Sequence, residues 1–474
     1  LRYDLREAAH RQLMTVLAAT GQRSAALAQY ENCRQTLLAE LGAEPEEETT
    51  ALYEELLAGG LNHRIALAAS PLENPYKGLK PFCEGDAPDY YGREAMASYL
   101  VDVLGRGAMV GVVGPSGSGK TSLIHAGLLH ELAEQTHRLR LKSGDGAANA
   151  PWLICQVRPG NFPFSALAAA LAQTVSTSYQ SKLPDLLRDA DLAGGLRTGR
   201  LSLRGLLEKA LPATSQQVLI ICDQFEELFT LCPDREARSA FLDLLAADAN
   251  AAEPASWLTV LVTLRADFMG QLLLHRSMAD ALQGSTVVLG PMNQVELEAA
   301  IVQPARAQGV EFQDGLVTRL LSDVGHEAGR LPLLQFCLTQ LWERQQNKRL
   351  THQNYDAIGG VGGALTRYAD EIYATFAPED KQAARRVLTQ MIRLGVDTED
   401  TRRPVARDHL DPADWAMVQR LADARLVVTD RDAADHDMAE IVHEALIQSW
   451  DLLRSWIDSD RAFYLWHQRA RLAA

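Results

Sequence analysis

The chain has 474 residues, 47% hydrophobic and 23% charged, too many for one hydrophobic core, so roughly three or four domains of ordinary globular composition are expected. Its formal net charge of −15 argues against nucleic-acid binding by the chain as a whole, because neutralising phosphates needs a basic surface. No apolar run approaches the roughly 18 residues of a membrane span and no leader peptide is visible. The cysteines (Cys33, Cys83, Cys155, Cys222, Cys232, Cys337) form no C-x-x-C pair, which predicts reduced thiols in a cytoplasm rather than disulfides or zinc.

The chain opens at Leu1 without Met, inside an amphipathic pattern, and so reads as a piece of something longer. Residues 1–62 read as paired helices: Leu13, Leu17, a turn at Gly21, then Ala26, Tyr30, Cys33 and Leu37 fall at helical spacing. Small Ala26 opposite large Tyr30 is how antiparallel helices nest in a TPR-type pair. With Leu27, Leu41-Gly42, Pro45 and Leu52-Tyr53 added, the segment resembles the C-terminal part of the bacterial transcriptional activator domain, a TPR-like module. A generic helical hairpin is the alternative. Acids such as Glu44, Glu46, Glu47 and Glu48 outnumber the bases here, which predicts contacts with protein partners rather than DNA.

A stretch of linker and entry to the next domain, 63–106, carries Asn74-Pro75-Tyr76-Lys77-Gly78-Leu79. Across 107–291 strands alternate with helices, the pattern of an α/β parallel sheet with flanking helices. Strands are expected near Met109–Val113, Leu153–Val157, Val218–Cys222, Leu258–Leu264 and Thr286–Leu289. Lys142–Ala150 and Leu192–Leu201 read as surface loops. Beyond Pro291 the pattern is almost wholly helical, split at 292–364 and 365–474, with a short strand at Arg425–Thr429.

Chemistry enters at Gly114-Pro115-Ser116-Gly117-Ser118-Gly119-Lys120-Thr121-Ser122, a G-x-x-x-x-G-K-[ST] loop that follows an apolar strand and opens a helix. Its glycines let backbone N–H groups converge on phosphate oxygens at a helix N-terminus. Lys120 is placed to neutralise β- and γ-phosphate oxygens, and the Thr121 hydroxyl to ligate Mg²⁺. The apolar run Val218–Cys222 ends in Asp223-Gln224-Phe225-Glu226-Glu227, which puts a second Mg²⁺ ligand, Asp223, at the carboxyl edge of the sheet beside that loop. Glu226 or Glu227 polarises an attacking water, or both simply start a helix where acids suit the dipole. Arg265, ending Leu261-Val262-Thr263-Leu264, either reads a γ-phosphate or makes a surface ion pair.

Together with Tyr91-Gly92-Arg93-Glu94, Leu264-Arg265-Ala266-Asp267-Phe268, Ala328-Gly329-Arg330-Leu331-Pro332-Leu333-Leu334 and Ile441-Val442-His443-Glu444-Ala445-Leu446-Ile447, these motifs resemble the STAND class of P-loop ATPases, in its bacterial novel branch. The resemblance implies a helical domain and a winged-helix domain behind the α/β P-loop NTPase core. It adds Tyr91 and Arg93 to the nucleotide site, sets Pro332 against the base or ribose, and has His443 contact the β-phosphate of ADP at rest. On the residues alone, Gly-x-x-Pro also marks a helix start and His443 also suits a core. Gln224 stands where many related ATPases have a catalytic Glu, so the expected ATP hydrolysis is slow.

Between Gly395 and Asp435 the bases (Arg402, Arg403, Arg407, Arg420, Arg425, Arg431) are outnumbered by Asp397, Glu399, Asp400, Asp408, Asp411, Asp414, Asp423, Asp430, Asp432 and Asp435. That sign is wrong for a groove reader and predicts an intramolecular latch. The expected whole is an ATP/ADP-driven signalling switch that self-associates when activated. The alternatives are a nucleotide-regulated transcriptional activator whose DNA reader lies upstream, and a scaffold that holds ADP without hydrolysing it.

Overall fold

The computed structural model describes residues 73–461 apart from 106, 144–151, 179–189, 212–216, 252–256, 326–328, 396–399, 432–436 and 460, and isolated positions between His10 and Tyr53. The chain packs as two units, Leu1–Asn74 and Pro75–Ala474. In the first, Met14, Cys33 and Thr49 are buried. Tyr30 stacks on Tyr53 with ring centroids 4.0 Å apart, and Arg11 donates to the Thr49 hydroxyl at 2.9 Å. Gly21, Ala26 and Leu41-Gly42 lie outside the described residues, and the TPR-type nesting expected of them lies there too.

The second unit is built on five parallel strands, β1 (Met109–Gly114), β2 (Leu153–Val157), β3 (Val218–Cys222), β4 (Leu258–Arg265) and β5 (Thr286–Val288), in the order β2-β3-β4-β1-β5. The inner strands β1, β3 and β4 are buried at every position, which is why they read as unbroken apolar runs. Alternate residues serve opposite faces: Ile220 and Cys222 join one core cluster, Leu219 and Ile221 the other. Because the strands are parallel, Gly114 pairs in register with Arg265, and the residues that follow β1, β3 and β4 emerge along one edge.

Within 63–106, α1 (Glu94–Leu104) packs on this core, with Ala97, Leu100, Val103 and Leu104 buried. One helical feature departs from expectation. The segment Leu192–Leu201 is a surface loop only in its last four residues: α2 (Ala190–Arg197) takes up the rest, with Leu192 and Leu196 buried. Its Gly194-Gly195 pair suggested a loop, but Gly195 is where Leu201 folds back, so that a Cβ there would lie 2.6 Å from Leu201 Cδ1.

Beyond the sheet come α3 (Gln294–Ala307), closed by a capping box between Asn293 and Glu296, and α4 (Leu331–Glu343), with Pro332 in its first turn. Residues 75–79 are stitched to both. Tyr76 donates its hydroxyl to the Ile301 carbonyl at 2.5 Å, and its own carbonyl accepts from Thr339 at 3.2 Å. Short pairs follow: β6 (Glu311–Phe312) with β7 (Arg349–Leu350), and β8 (Ile392–Arg393) with β9 (Thr401–Arg402). The last sheet joins β10 (Val405–Ala406), β11 (Val427–Arg431) and β12 (Asp437–Ile441) antiparallel in the order β10-β12-β11. With α5 (Pro412–Asp423) before β11 and α6 (Glu444–Ser449) after β12, the arrangement is that of a winged helix. The strand expected from Arg425 begins two residues later, because Arg425 takes φ 56° in the left-handed turn that stops α5. No helix among the described residues is long and apolar enough to cross a membrane.

One close approach tests this packing. Gly92 has φ 90°, and a Cβ on it would overlap the Glu296 carbonyl in α3. Gly92→Ala should therefore cost about 2–3 kcal/mol, read as a lower denaturant midpoint. A loss under about 0.5 kcal/mol would show that α1 and α3 are not held this tightly.

Candidate functional site

The carboxyl edge of the parallel sheet borders a cavity of about 580 Å³. Its walls come from the 116–122 loop, residues 77–83 and 89–93, the start of α4 at Leu331 and Pro332, and the winged-helix segment Val442-His443-Glu444. Distant motifs thus meet because one sheet edge collects them.

The glycine-rich loop leaves β1 at Gly114. Gly117 and Gly119 take φ 69° and 88°, and a Cβ on Gly117 would sit 3.0 Å from Gly329 and 3.2 Å from Pro332 Cδ. Glycine is needed here for close approach as much as for backbone freedom. Ser118 Oγ is buried and has no hydrogen-bond partner among the described residues, a hydroxyl suited to a phosphate oxygen. Lys120 Nζ donates to the carbonyls of Gly114 and Pro115 at 2.8 Å each. Burial lowers its pKa, against the pull of Glu226 and Asp223.

Thr121 donates its hydroxyl to Asp223, 3.0 Å from Oδ2, and Thr263 donates to Asp223 Oδ1 at 2.5 Å. Thr121 and Asp223 are hard oxygen donors side by side, and they would hold a Mg²⁺ ion together with phosphate oxygens and water. Among the described residues no group of three or more His, Cys, Asp or Glu could hold a metal, so an ion here needs those outside ligands.

The acidic pair divides. Glu226 lines the cavity, accepts the Arg265 backbone N–H at 3.2 Å, and is pushed up to about 7 by burial, with Lys120 opposing. Glu227, pushed up to about 8 by burial, feels Arg158, Glu440 and Arg402 instead. Arg265 lines the cavity and is 4% exposed, so its ion pair with Asp267, 2.9 Å from Nη2, is no surface contact. Tyr91, Arg93, Pro332 and His443 all line the cavity. Arg93 is tied to the Gly290 carbonyl at 2.7 Å. Ser122 accepts the Phe82 N–H at 3.1 Å, fastening the 77–83 wall to the loop helix.

His443 caps α6: its Nδ1 accepts the Ala445 N–H at 3.1 Å. Burial, with Arg402 and Lys120 adding to it and Glu444 opposing, pushes its pKa down to about 4. The neutral ring therefore carries its proton on Nε2 and can donate it.

Sequence reasoning missed Thr263, Arg402, Glu440 and Glu444. The Arg402 guanidinium meets Glu440 at 3.0 Å, Glu444 at 3.3 Å and the Gln224 side-chain Oε1 at 3.2 Å. Glu444, held to about 2 by Arg402 in spite of its burial, stays ionised. The signal for Thr263 was present, since a hydroxyl inside an apolar strand has to find a partner. Arg402 was one base among acids, and nothing local marked it.

A family model described as Novel STAND NTPase 1 matches residues 75–474, and one described as Bacterial transcriptional activator domain matches residues 1–57. No curated protein matches the sequence. Among solved structures, the ORC1 protein of Aeropyrum pernix in complex with DNA is similar at 15% identity and TM-score 0.39, over 79% of this chain and 94% of that one. A Walker-type ATPase of Pyrococcus abyssi gives 13% identity and TM-score 0.40, over 79% and 98%. Cdc6p of Pyrobaculum aerophilum gives 14% and 0.36, over 78% and 94%.

Asp223→Asn should weaken Mg²⁺-dependent ADP binding while leaving affinity in EDTA almost unchanged, by calorimetry; equal loss in EDTA would make Asp223 structural. The sign for His443 follows from its depressed pKa. Its contribution to stability is complete above the unfolded value of about 6.5 and is lost as pH falls toward 4. The melting-temperature gap between the protein and His443→Gln should therefore narrow between pH 6.5 and 4. A constant gap would mean that the ring does not titrate there.

Proposed function

The chain belongs to the novel STAND NTPase 1 family, and from that premise we propose that it is an ATP/ADP-controlled switch in bacterial signalling. ADP holds the winged helix against the P-loop core, and exchange for ATP frees it for self-association. The observation behind this reading is that His443 and the glycine-rich loop line one cavity, so a single nucleotide would touch both. In this scheme 107–291 is the nucleotide-binding core, 292–364 the helical domain and 365–474 the latch.

Lys120 neutralises the β- and γ-oxygens, Ser118 and the loop amides hold them, and Pro332 and Tyr91 flank the base or ribose. Thr121 and Asp223 hold Mg²⁺, which when bound supplies positive charge against the phosphates. Arg265, pre-oriented by Asp267, reads the γ-phosphate, and Glu226 polarises the attacking water for a slow hydrolysis. Taking the equilibrium from mostly closed to mostly open requires about 5.5 kcal/mol of differential affinity, within reach of one buried, multiply contacted γ-phosphate.

The match of residues 1–57 to the activator domain favours a second reading, a transcriptional activator regulated by the same switch, with the first unit contacting protein partners. Several winged-helix bases are already paired, Arg407 with Asp437 and Arg420 with Asp380, which fits a latch better than a DNA reader.

Lys120→Ala should abolish ADP·Mg²⁺ binding without unfolding the unit. His443→Ala should weaken ADP by roughly one to two powers of ten, the worth of one hydrogen bond to a charged oxygen, and ATP by less. Calorimetry of both nucleotides decides it, and equal weakening would remove His443 as the latch.

A further inference from the structure

Gln224 follows the Mg²⁺ carboxylate directly and lines the nucleotide cavity. It is held in an uncommon way for a residue with a side chain, at φ 52°. Its N–H donates to Thr263 Oγ1 at 2.9 Å, and that same hydroxyl donates to Asp223. The direction of Gln224 is thus set by the partner of the metal-site carboxylate. Its carboxamide oxygen accepts from Arg402 Nη2 at 3.2 Å. Of the acceptors Arg402 meets among the described residues, Gln224 alone belongs to the P-loop core. The others, Glu440, Glu444 and the carbonyls of Ile441 and Val442, belong to the winged helix. Glu444 also adjoins His443, so this contact sits on the turn that would read the nucleotide.

We propose, resting on the switch reading above, that the Arg402–Gln224 hydrogen bond is a gate on hydrolysis. While the winged helix is closed, Arg402 occupies the carboxamide oxygen that orients the attacking water; opening returns that oxygen to the site. A glutamine next to the phosphates acts by accepting from the water and aiming it in line. In the reaction the water oxygen bonds to the γ-phosphorus, and the bond to the β–γ bridging oxygen breaks with its electron pair leaving on ADP. The water gives up one proton to solvent. The gate also holds the closed form independently of His443, because it needs no nucleotide.

The test uses the full chain and three variants. Arg402→Lys keeps the charge that Glu440 and Glu444 require but loses the fork that also reaches Gln224. Gln224→Ala removes the acceptor, and the third variant combines both. Release of a fluorescent ADP should quicken by about tenfold in each single variant and no further in the double, since both remove one interaction. ATP turnover should move in opposite directions: up several-fold in Arg402→Lys, and down to a tenth or less in Gln224→Ala and in the double variant. Additive effects on release, or turnover unchanged in Arg402→Lys, would overturn the gate. Loss of ADP binding in the unsubstituted protein, measured first by calorimetry, would instead overturn the switch and the gate with it.

Discussion

A carboxylate at the end of a wholly apolar strand loses its water and must be given hydrogen-bond donors by the protein. Asp223, 5% exposed, has that problem, and two hydroxyls answer it: Thr121 from the glycine-rich loop and Thr263 from β4. Those two bonds fix the loop, β3 and β4 to one another at the sheet edge. The core side of the cavity is arranged from that point. Lys120 is the residue before Thr121, Gln224 the residue after Asp223, and Arg265 stands two beyond Thr263 on the same strand.

Burial sets the electrostatics of the surrounding cavity, and named partners then correct it. Left to burial, Glu444 would protonate; Arg402 keeps it charged. His443, with Arg402 and Lys120 both repelling a second charge, is kept neutral. The closing face of the winged helix therefore brings a neutral N–H donor beside an ionised acid–base pair. A phosphate placed there would meet a donor, while the acid next to it is already paired with Arg402.

How much of this the sequence showed depends on range. The inner strands were legible because a parallel strand buried on both faces has no choice but an unbroken apolar run. The glycine-rich loop and Asp223 were legible because strand, turn and helix are contiguous. The helical part of Leu192–Leu201 was misread because Gly194-Gly195 signals a turn locally, whereas the glycine is there for Leu201 to lie on. β12 went unforeseen because its acids, Asp437 and Glu440, three residues apart, break the apolar alternation of a short strand buried at Ala439 and Ile441. Arg402 was out of reach altogether. Its partners lie 178 residues before it and up to 42 after it, and only the fold brings them together.

The contact between Gly117 and Gly329 has a mechanical side. Where two backbones press together with no side chain between them, there is no rotamer to give way, and slack is confined to a few tenths of an ångström. The glycine-rich loop and the first turn of α4 therefore behave as meshed teeth. A shift of the loop would press directly on α4, which Thr339 ties to Tyr76 and the 75–79 segment. Stiffness here comes from where the chain is thinnest.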